Sequence, residues 1–293
     1  MSSAPGERWV ALNGVLTPAG EARVSVFDAG FLQGIGLFET LKVRTGRPLR
    51  LEQHLGRMAA SAQNLGWSVL PDARRLAGDV GEVLTACGLR DARVRITVTA
   101  GSLLAAGGGD TPALTTLVTA APEELYDKAH YQSGVTAVIS PSWQTIDDPT
   151  MGHKTTSYFS RLAALRGAHR QGAFEALWLT PDGELAEGCI SNVFIVDDEH
   201  VLTPPVDTPV LPGIARAAVF ELCAALGLTC HEATLSLDDL RAADEVFLTN
   251  SLMDVMPVVR VARLAIGNER PGEITRQLMA AYAELVEREC GGS

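Results

Sequence analysis

Only three of the 24 basic side chains are lysines (Lys42, Lys128 and Lys154), against 21 arginines. A guanidinium stays protonated at any physiological pH, so only a lysine can act as an amine nucleophile or pass a proton back and forth. Lys154 follows the loop "QTIDDPTMGH" and stands just ahead of a helical pattern, where scaffolds often present reactive groups. Taken alone, a solvated surface lysine is the plainer reading. Three later segments also carry chemical content. Glu187 in "ELAEGCISNVFIV" lies near the start of a partly buried apolar strand, from which a carboxylate can point into a cleft or simply decorate a hairpin. "VLPGIARAAVF" places Pro212 and Gly213 at a helix start with no carboxylate before Glu221, and the free N–H groups of such a turn suit an anion such as phosphate. "FLTNSLMDV" leaves a strand through Thr249, Asn250 and Ser251, whose short polar side chains bond phosphates or polar substrates and equally form turns.

These residues need a scaffold, and the hydrophobic pattern supplies one. Hairpins are expected around Asn13-Gly14 and Thr45-Gly46, a helix where Leu51, Leu55, Met58 and Leu65 recur, and a second helix over 73–87. The strands "RVRITVTAG" and "ALTTLVTAA" flank the glycine run Gly107–Gly109, read as a loop. The strand pattern lapses around "APEELYDKAHYQSG". The chain is therefore read as α/β (α+β), with an N-terminal domain over 1–122, a connection over 123–133 and a larger domain over 134–293. The second domain restarts with "VTAVISP" and enters a helix near "SYFSRLAALRGAHRQG". Two hairpins follow, at Asp182-Gly183 and within "SNVFIVDDEHVLTPP", then a helix at "PGIARAAVFELCAALG", a strand, loop and strand in "EVFLTNSLMDVMPVVRV", and a closing helix over 272–289.

Several function classes are excluded or disfavoured. A formal charge of −11 without a basic stripe argues against nucleic acid and anionic membrane. No apolar run reaches the roughly 18 residues a membrane span needs. The polar start "MSSAPGERWV" is unlike a signal peptide, so a cytoplasmic location is expected. Five cysteines without a C-x-x-C pair indicate neither a disulfide framework nor a thiolate zinc site, and the six histidines show no metal spacing. "GIGLFE" begins like a dinucleotide fingerprint, but Glu39 stands where the third glycine belongs. His153, beside Lys154, either lines a cleft or faces solvent.

In order and spacing, from "VSVFDAGFLQGIGLFETLKV" to "TNSLMDVMPV", these motifs resemble the fold-type IV, class IV enzymes that depend on pyridoxal 5'-phosphate (PLP). That group holds branched-chain aminotransferases, D-amino acid aminotransferases and 4-amino-4-deoxychorismate lyases. The resemblance implies a two-domain, D-amino acid aminotransferase-like fold and a homodimer. It implies that Lys154 bonds the cofactor covalently, that Glu187 pairs with the pyridine nitrogen, and that Arg57 in "HLGRM" grips the phosphate with Ser251 and the N–H groups of Ile214 and Ala215. Tyr158 would hydrogen-bond the phenolic oxygen. A carboxylate at the ring nitrogen suits a cofactor that drains electron density from the substrate.

For the substrate, the resemblance divides. The arginine that often follows the strand "RITVTAG" is here Ala100, so Arg44, Arg93 and Arg95 are the candidates for the substrate carboxylate, each equally read as a strand-surface arginine. "EVFLTNSLMDVMPV" resembles the "T/C-N-x-L-M-x-V-x-P-V" run of the lyases more than the "T-G-T-A" loop of branched-chain aminotransferases, which makes Asn250 a candidate substrate contact. The expected activity is therefore the lyase, releasing 4-aminobenzoate, a folate precursor, and pyruvate. The alternatives are a D-amino acid or branched-chain aminotransferase and a catalytically inactive interaction protein, the last disfavoured by intact Lys154, Glu187 and Arg57.

Overall fold

The computed structural model describes residues 8–103, 113–123 and 126–291, so the glycine run Gly107–Gly109 lies outside the described residues. The chain forms two compact units that are not contiguous in sequence: Met1–Glu124 with His153–Ser157 and Val286–Ser293, and Leu125–Gly152 with Tyr158–Leu285.

The first unit opens with a hairpin of β1 (Trp9–Leu12) and β2 (Val15–Pro18), then the short helix α1 (Ala29–Gln33) and a second hairpin of β3 (Gly36–Arg44) and β4 (Arg47–Pro48). Both hairpin turns, Asn13-Gly14 and Thr45-Gly46, have positive φ at both positions, the geometry that matches strand twist. Helices α2 (Leu51–Asn64) and α3 (Ala73–Cys87) follow, then β5 (Ala92–Thr99) and β6 (Thr115–Pro122). Asp72 caps α3 by accepting from the Arg75 N–H, and Gly88 ends it in the left-handed region. The strands form one antiparallel sheet in the order β2-β1-β6-β5-β3-β4. Leu37, Leu41, Val94, Ile96 and Val98 pack with Leu55, Met58, Leu76 and Val80 of the helices. Strand alternation sends the other residues to the opposite face, where Phe38 pairs Thr97, Thr40 pairs Arg95 and Lys42 pairs Arg93.

Residues 153–157 belong to this unit because their backbone joins β3. The Phe38 N–H donates to Lys154 O at 2.9 Å, the Thr156 N–H donates to Gly36 O at 2.9 Å, and Leu37 bridges Thr155. The C-terminal residues are tied to the same unit by the Arg50–Glu289 ion pair at 3.0 Å.

The second unit contains α4 (Lys128–Ser133), β7 (Val135–Trp143), α5 (Phe159–Arg170), β8 (Glu175–Leu179), β9 (Leu185–Gly188), β10 (Asn192–Asp197), β11 (His200–Thr203), α6 (Ile214–Leu226), β12 (Cys230–Glu232), α7 (Leu237–Ala242), β13 (Glu245–Asn250), β14 (Asp254–Val261), β15 (Leu264–Ala265) and most of α8 (Glu273–Cys290). Its nine-stranded mixed sheet runs β12-β11-β10-β13-β14-β7-β8-β9, with β15 on β14. Every residue of β8 and β9 is buried, as strands covered on both faces require. The helices α1, α4 and α7 go beyond the sequence expectations. Each is five or six residues long, too short for a periodic stripe, and each is announced only by its cap: Asp28, Asp127 and the Ser236/Asp239 capping box.

Candidate active site

The first unit carries Lys154 and Arg57. The Lys154 Nζ lies 4.5 Å from the centre of the Phe38 ring, and the Arg95 guanidinium lies 3.8 Å from the same centre, so the 153–157 segment and β5 bring two cations to one aromatic side chain of β3. Of the other lysines, Lys42 is buried in an ion pair with Glu123 at 3.8 Å and Lys128 is exposed on α4. Arg57, one turn into α2 from His54, is held from behind by buried Glu39. Its Nε donates to Oε1 at 2.8 Å and its Nη2 donates to Oε2 at 2.6 Å, the fork geometry that fixes a guanidinium plane. The His54 ring shares Glu39 Oε2 at 2.7 Å. Burial alone would raise the Glu39 carboxyl, but Arg57 and His54 outweigh it and hold it down at about 2. His54 is pushed below its ordinary value, chiefly by burial, against the pull of Glu39; Arg57 and Lys154 add to the depression. His153 has its Nδ1 3.0 Å from Ser61 Oγ, and burial lowers its pKa as well.

The second unit carries the remaining residues. Glu187 lies in β9, one residue before its end and 2% exposed, and four donors surround it. Gln144 Nε2 (2.9 Å) and Arg161 Nη2 (2.5 Å) reach Oε1, while the Leu211 N–H (3.0 Å) and Asn192 Nδ2 (3.4 Å) reach Oε2. Tyr158 donates its hydroxyl to Cys189 O at 2.9 Å, and burial pushes its phenol above the ordinary range. Beneath the 188–191 segment lies Glu175, fully buried, which accepts from the N–H groups of Ala176, Cys189 and Ile190 and from Ser191 Oγ. Burial raises its pKa despite those donors. A side chain at Gly188 would collide with Ser191 and Glu175, so glycine is required at this close approach.

Strand pairing places Asn192 opposite Thr249, and α6 begins beside them. Gly213, its N-cap, supplies no side-chain cap, and the first turn holds no acid, so the N–H groups of Ile214 and Ala215 meet no capping side chain. A Cβ at Gly213 would come within 2.0 Å of Asn192 Oδ1. Asn250 has its amide committed to the loop that follows β13. Its Oδ1 accepts from the Leu252 and Met253 N–H groups, each at 2.9 Å, and its Nδ2 donates to Ile190 O at 3.2 Å. Ser251 stands within that loop. Arg44 likewise pairs with Glu123 at 2.6 Å. The described contacts thus gather Lys154, Phe38 and Arg95 on one sheet face and Arg57, Glu39 and His54 in a buried triad of the same unit. They gather Glu187, Tyr158, Asn192 and the start of α6 in the other.

Sequence reasoning missed Glu39, His54, Gln144, Arg161 and Glu175. His54 carries a helical-register signal, since it lies three residues before Arg57 on α2, whereas Glu39 lies on β3, 15 and 18 residues before its partners. The others have no local signal, because their partners lie 26 to 43 residues away or are backbone groups.

Compared with known proteins, residues 36–261 match the family described as amino-transferase class IV. The chain is 30% identical to the D-alanine aminotransferase of Bacillus licheniformis (94% of this chain, 96% of that protein) and 28% identical to the aminodeoxychorismate lyase of Bacillus subtilis (95% and 94%). Among solved structures, the Escherichia coli branched-chain amino acid aminotransferase superposes with a TM-score of 0.87 at 27% identity (97% of this chain, 96% of that one). The T.th. branched-chain aminotransferase with pyridoxamine 5'-phosphate gives 0.88 at 26% identity (98% and 96%). The fold is that of the fold-type IV PLP enzymes. The chain belongs to the class IV aminotransferase family.

The residues fit that cofactor. Thr249 Oγ1 is buried without a hydrogen-bond partner among the described residues, beside an acid-free helix start with no side-chain cap, which suits a phosphate. Among the described residues no group of His, Cys, Asp and Glu could hold a metal, and no helix is long and apolar enough to cross a membrane.

Proposed function

We propose that this enzyme is an aminodeoxychorismate lyase, and the loop built by Asn250 is the observation that carries the reading. In the lyase-like run "TNSLMDVMPV" the asparagine folds Leu252 and Met253 back onto itself and ties the loop to Ile190, three residues past Glu187. A "T-G-T-A" loop has no side chain to do this. Asn250 is thus assigned to shaping the loop, a role beyond the substrate contact its sequence suggests.

Bound PLP supplies an electron sink for the substrate carbon that bears the amino group. Lys154 would bond the cofactor, take the proton from that carbon and return a proton as the products form. The ether bond on the adjacent ring carbon breaks, the ring becomes 4-aminobenzoate, and the enolpyruvyl group leaves and is protonated to pyruvate. Glu187 accepts from the pyridine nitrogen. In the first unit Arg57, oriented by Glu39, would bind phosphate; in the second, Ser251, Thr249 and the Ile214 and Ala215 N–H groups would do so. Tyr158 serves the phenolic oxygen. Among the arginine candidates Arg95 is our choice for the substrate carboxylate, because it stacks on the ring that Lys154 faces while Arg44 pairs with Glu123.

An aminotransferase is the second reading, favoured by the Bacillus licheniformis relative and by the branched-chain enzymes among the solved structures. It would use the same residues, with Lys154 carrying the proton taken from the α-carbon. Two assays on PLP-loaded protein separate the readings. Release of 4-aminobenzoate and pyruvate from aminodeoxychorismate, with little spectral change on adding amino acids, supports the lyase. Fast conversion of the cofactor to its amine form by D-alanine, D-glutamate or L-leucine, without 4-aminobenzoate, overturns it.

We also infer a homodimer. Val24, Val26, Phe27, Phe31, Leu32 and Ile35 are large apolar side chains exposed within twelve residues of the first unit, and a second copy would cover them. Free thiols at all five cysteines suit a cytoplasmic setting.

A further inference from the structure

Arg161 has no role in the chemistry assigned above, yet it is the most extensively bonded cation around Glu187. It enters from the first turn of α5, its side chain 15% exposed. Nη2 meets Glu187 Oε1 at 2.5 Å, and Nη1 donates to the carbonyls of Gly188 at 3.2 Å and Cys189 at 3.4 Å. Tyr158 donates to that same Cys189 carbonyl, and its ring centre lies 5.9 Å from the Arg161 guanidinium carbon. One guanidinium therefore spans the carboxylate and the two carbonyls that follow it, and meets the tyrosine hydroxyl at a shared acceptor.

The distribution of donors around Glu187 gives this arrangement a consequence. A carboxylate has about four lone-pair positions. On Oε1 both contacts are short, at 2.5 and 2.9 Å, whereas on Oε2 only the Leu211 N–H is close, at 3.0 Å, and the Asn192 contact is a long 3.4 Å. Oε1 is thus locked, and Oε2 keeps the capacity to accept a further bond. All four neighbours are donors, so Glu187 acts as an acceptor towards each. A guanidinium fixes a carboxylate plane in a way that an ammonium does not, since two of its nitrogens here hold three acceptors at once.

We propose that Arg161 is the positioning residue for Glu187, fixing its carboxylate so that one oxygen is kept for the pyridine nitrogen of the cofactor. This rests on Glu187 being the partner of that nitrogen. Arg161 acts only through Glu187 and the 188–189 backbone, so its effect must depend on the ring nitrogen.

The test compares the affinity of apo-protein for PLP and for 1-deaza-PLP, in which carbon replaces the ring nitrogen, by fluorescence titration. The proteins are wild type, Arg161→Gln, Arg161→Lys and Glu187→Gln, with circular dichroism and melting temperature as folding controls. Wild type is expected to prefer PLP at least tenfold. Arg161→Gln should weaken PLP about tenfold and leave 1-deaza-PLP within twofold, and Arg161→Lys should recover only part of the loss, because one ammonium cannot span the three acceptors. Equal weakening of both cofactors in Arg161→Gln makes the residue a structural support only and overturns the inference. Full discrimination in Arg161→Gln alongside its loss in Glu187→Gln overturns the inference while leaving Glu187 as the nitrogen partner. If wild type does not discriminate, the Glu187 assignment itself falls, and the inference with it. Should Arg161→Gln fail to fold, Arg161→Lys decides on the same criteria.

Discussion

Arg57 and Glu39 form a two-point ion pair, Nε to Oε1 at 2.8 Å and Nη2 to Oε2 at 2.6 Å, with the Glu39 side chain 1% and the Arg57 side chain 9% exposed. Breaking a buried pair by removing one partner leaves the other charge uncompensated, which costs about 3–5 kcal/mol. Glu39→Ala and Arg57→Ala should each lower apo-protein stability by that order in urea titrations, and the double variant should lose clearly less than the sum. Glu39→Ala should also weaken PLP binding, since Arg57 then loses the group that orients it. Additive losses would mean that the pair does not act as a unit.

The same triad sets an acid sensitivity. Glu39 sits at about 2 in the folded protein against an ordinary 4.5, so its contribution, on the order of 3 kcal/mol, is fully present above roughly pH 4.5 and is lost as the pH falls through about 2. His54 is lowered below 6.5. As the pH falls through 6.5 the unfolded chain takes up the histidine proton first, and this also favours unfolding. Stability should therefore decline in two stages, first below pH 6.5 and again below 4.5. Urea midpoints measured from pH 7 to pH 3 check this. Glu39→Gln should flatten the lower stage, and an unchanged slope there would show that other carboxylates dominate.

Gly213 is required by a neighbour rather than by its backbone, whose φ of −67° any residue adopts. A methyl group there meets Asn192 Oδ1 at 2.0 Å, and the Asn192 amide holds Leu211 O at 2.9 Å as well as Glu187. Gly213→Ala should lower PLP affinity at least tenfold, with a stability loss of about 1–3 kcal/mol from overpacking. Unchanged affinity would separate the helix start from the cofactor.

What the sequence made legible follows from the range of each interaction. The hairpin at Asn13-Gly14 and the helix over 73–87 rest on neighbouring residues, and both occur where the pattern places them. The discontinuous division of the chain was not legible. Lys154 joins β3 through backbone hydrogen bonds more than a hundred residues away, and backbone pairing leaves no trace in side-chain pattern. The contacts of Arg161 were hidden in the same way, since its first turn of helix reads as an ordinary polar helix face. Glu175 gives no local signal, and it is buried with four donors from 176 and 189–191 converging on it.

The apolar run between β2 and β3 gives a prediction about assembly. Phe31 is 72% exposed, Leu32 next to it is also exposed, and so is Val26 five residues earlier. Phe31→Asp with Leu32→Asp should convert a dimer to a monomer in light scattering, with the folded-state circular dichroism preserved. A wild-type monomer would remove the second copy as the group that covers this run.

Lys154 is the most direct test of the chemistry, and the scarcity of lysine makes it a clean one. Hydride reduction of PLP-loaded protein should fix the cofactor to a single peptide containing Lys154, read by mass spectrometry. Lys154→Ala should fold, because the bond that ties residue 154 to β3 uses its backbone carbonyl, which alanine retains. It should lose the fixed label and slow turnover by roughly 10²- to 10⁴-fold from the lost proton transfer alone. Lys42→Ala removes a buried ion-pair member and Lys128→Ala a surface charge, so both should keep the label, the former with reduced stability. A label that survives Lys154→Ala, or one that moves to Lys42 in wild type, would break the assignment at its centre.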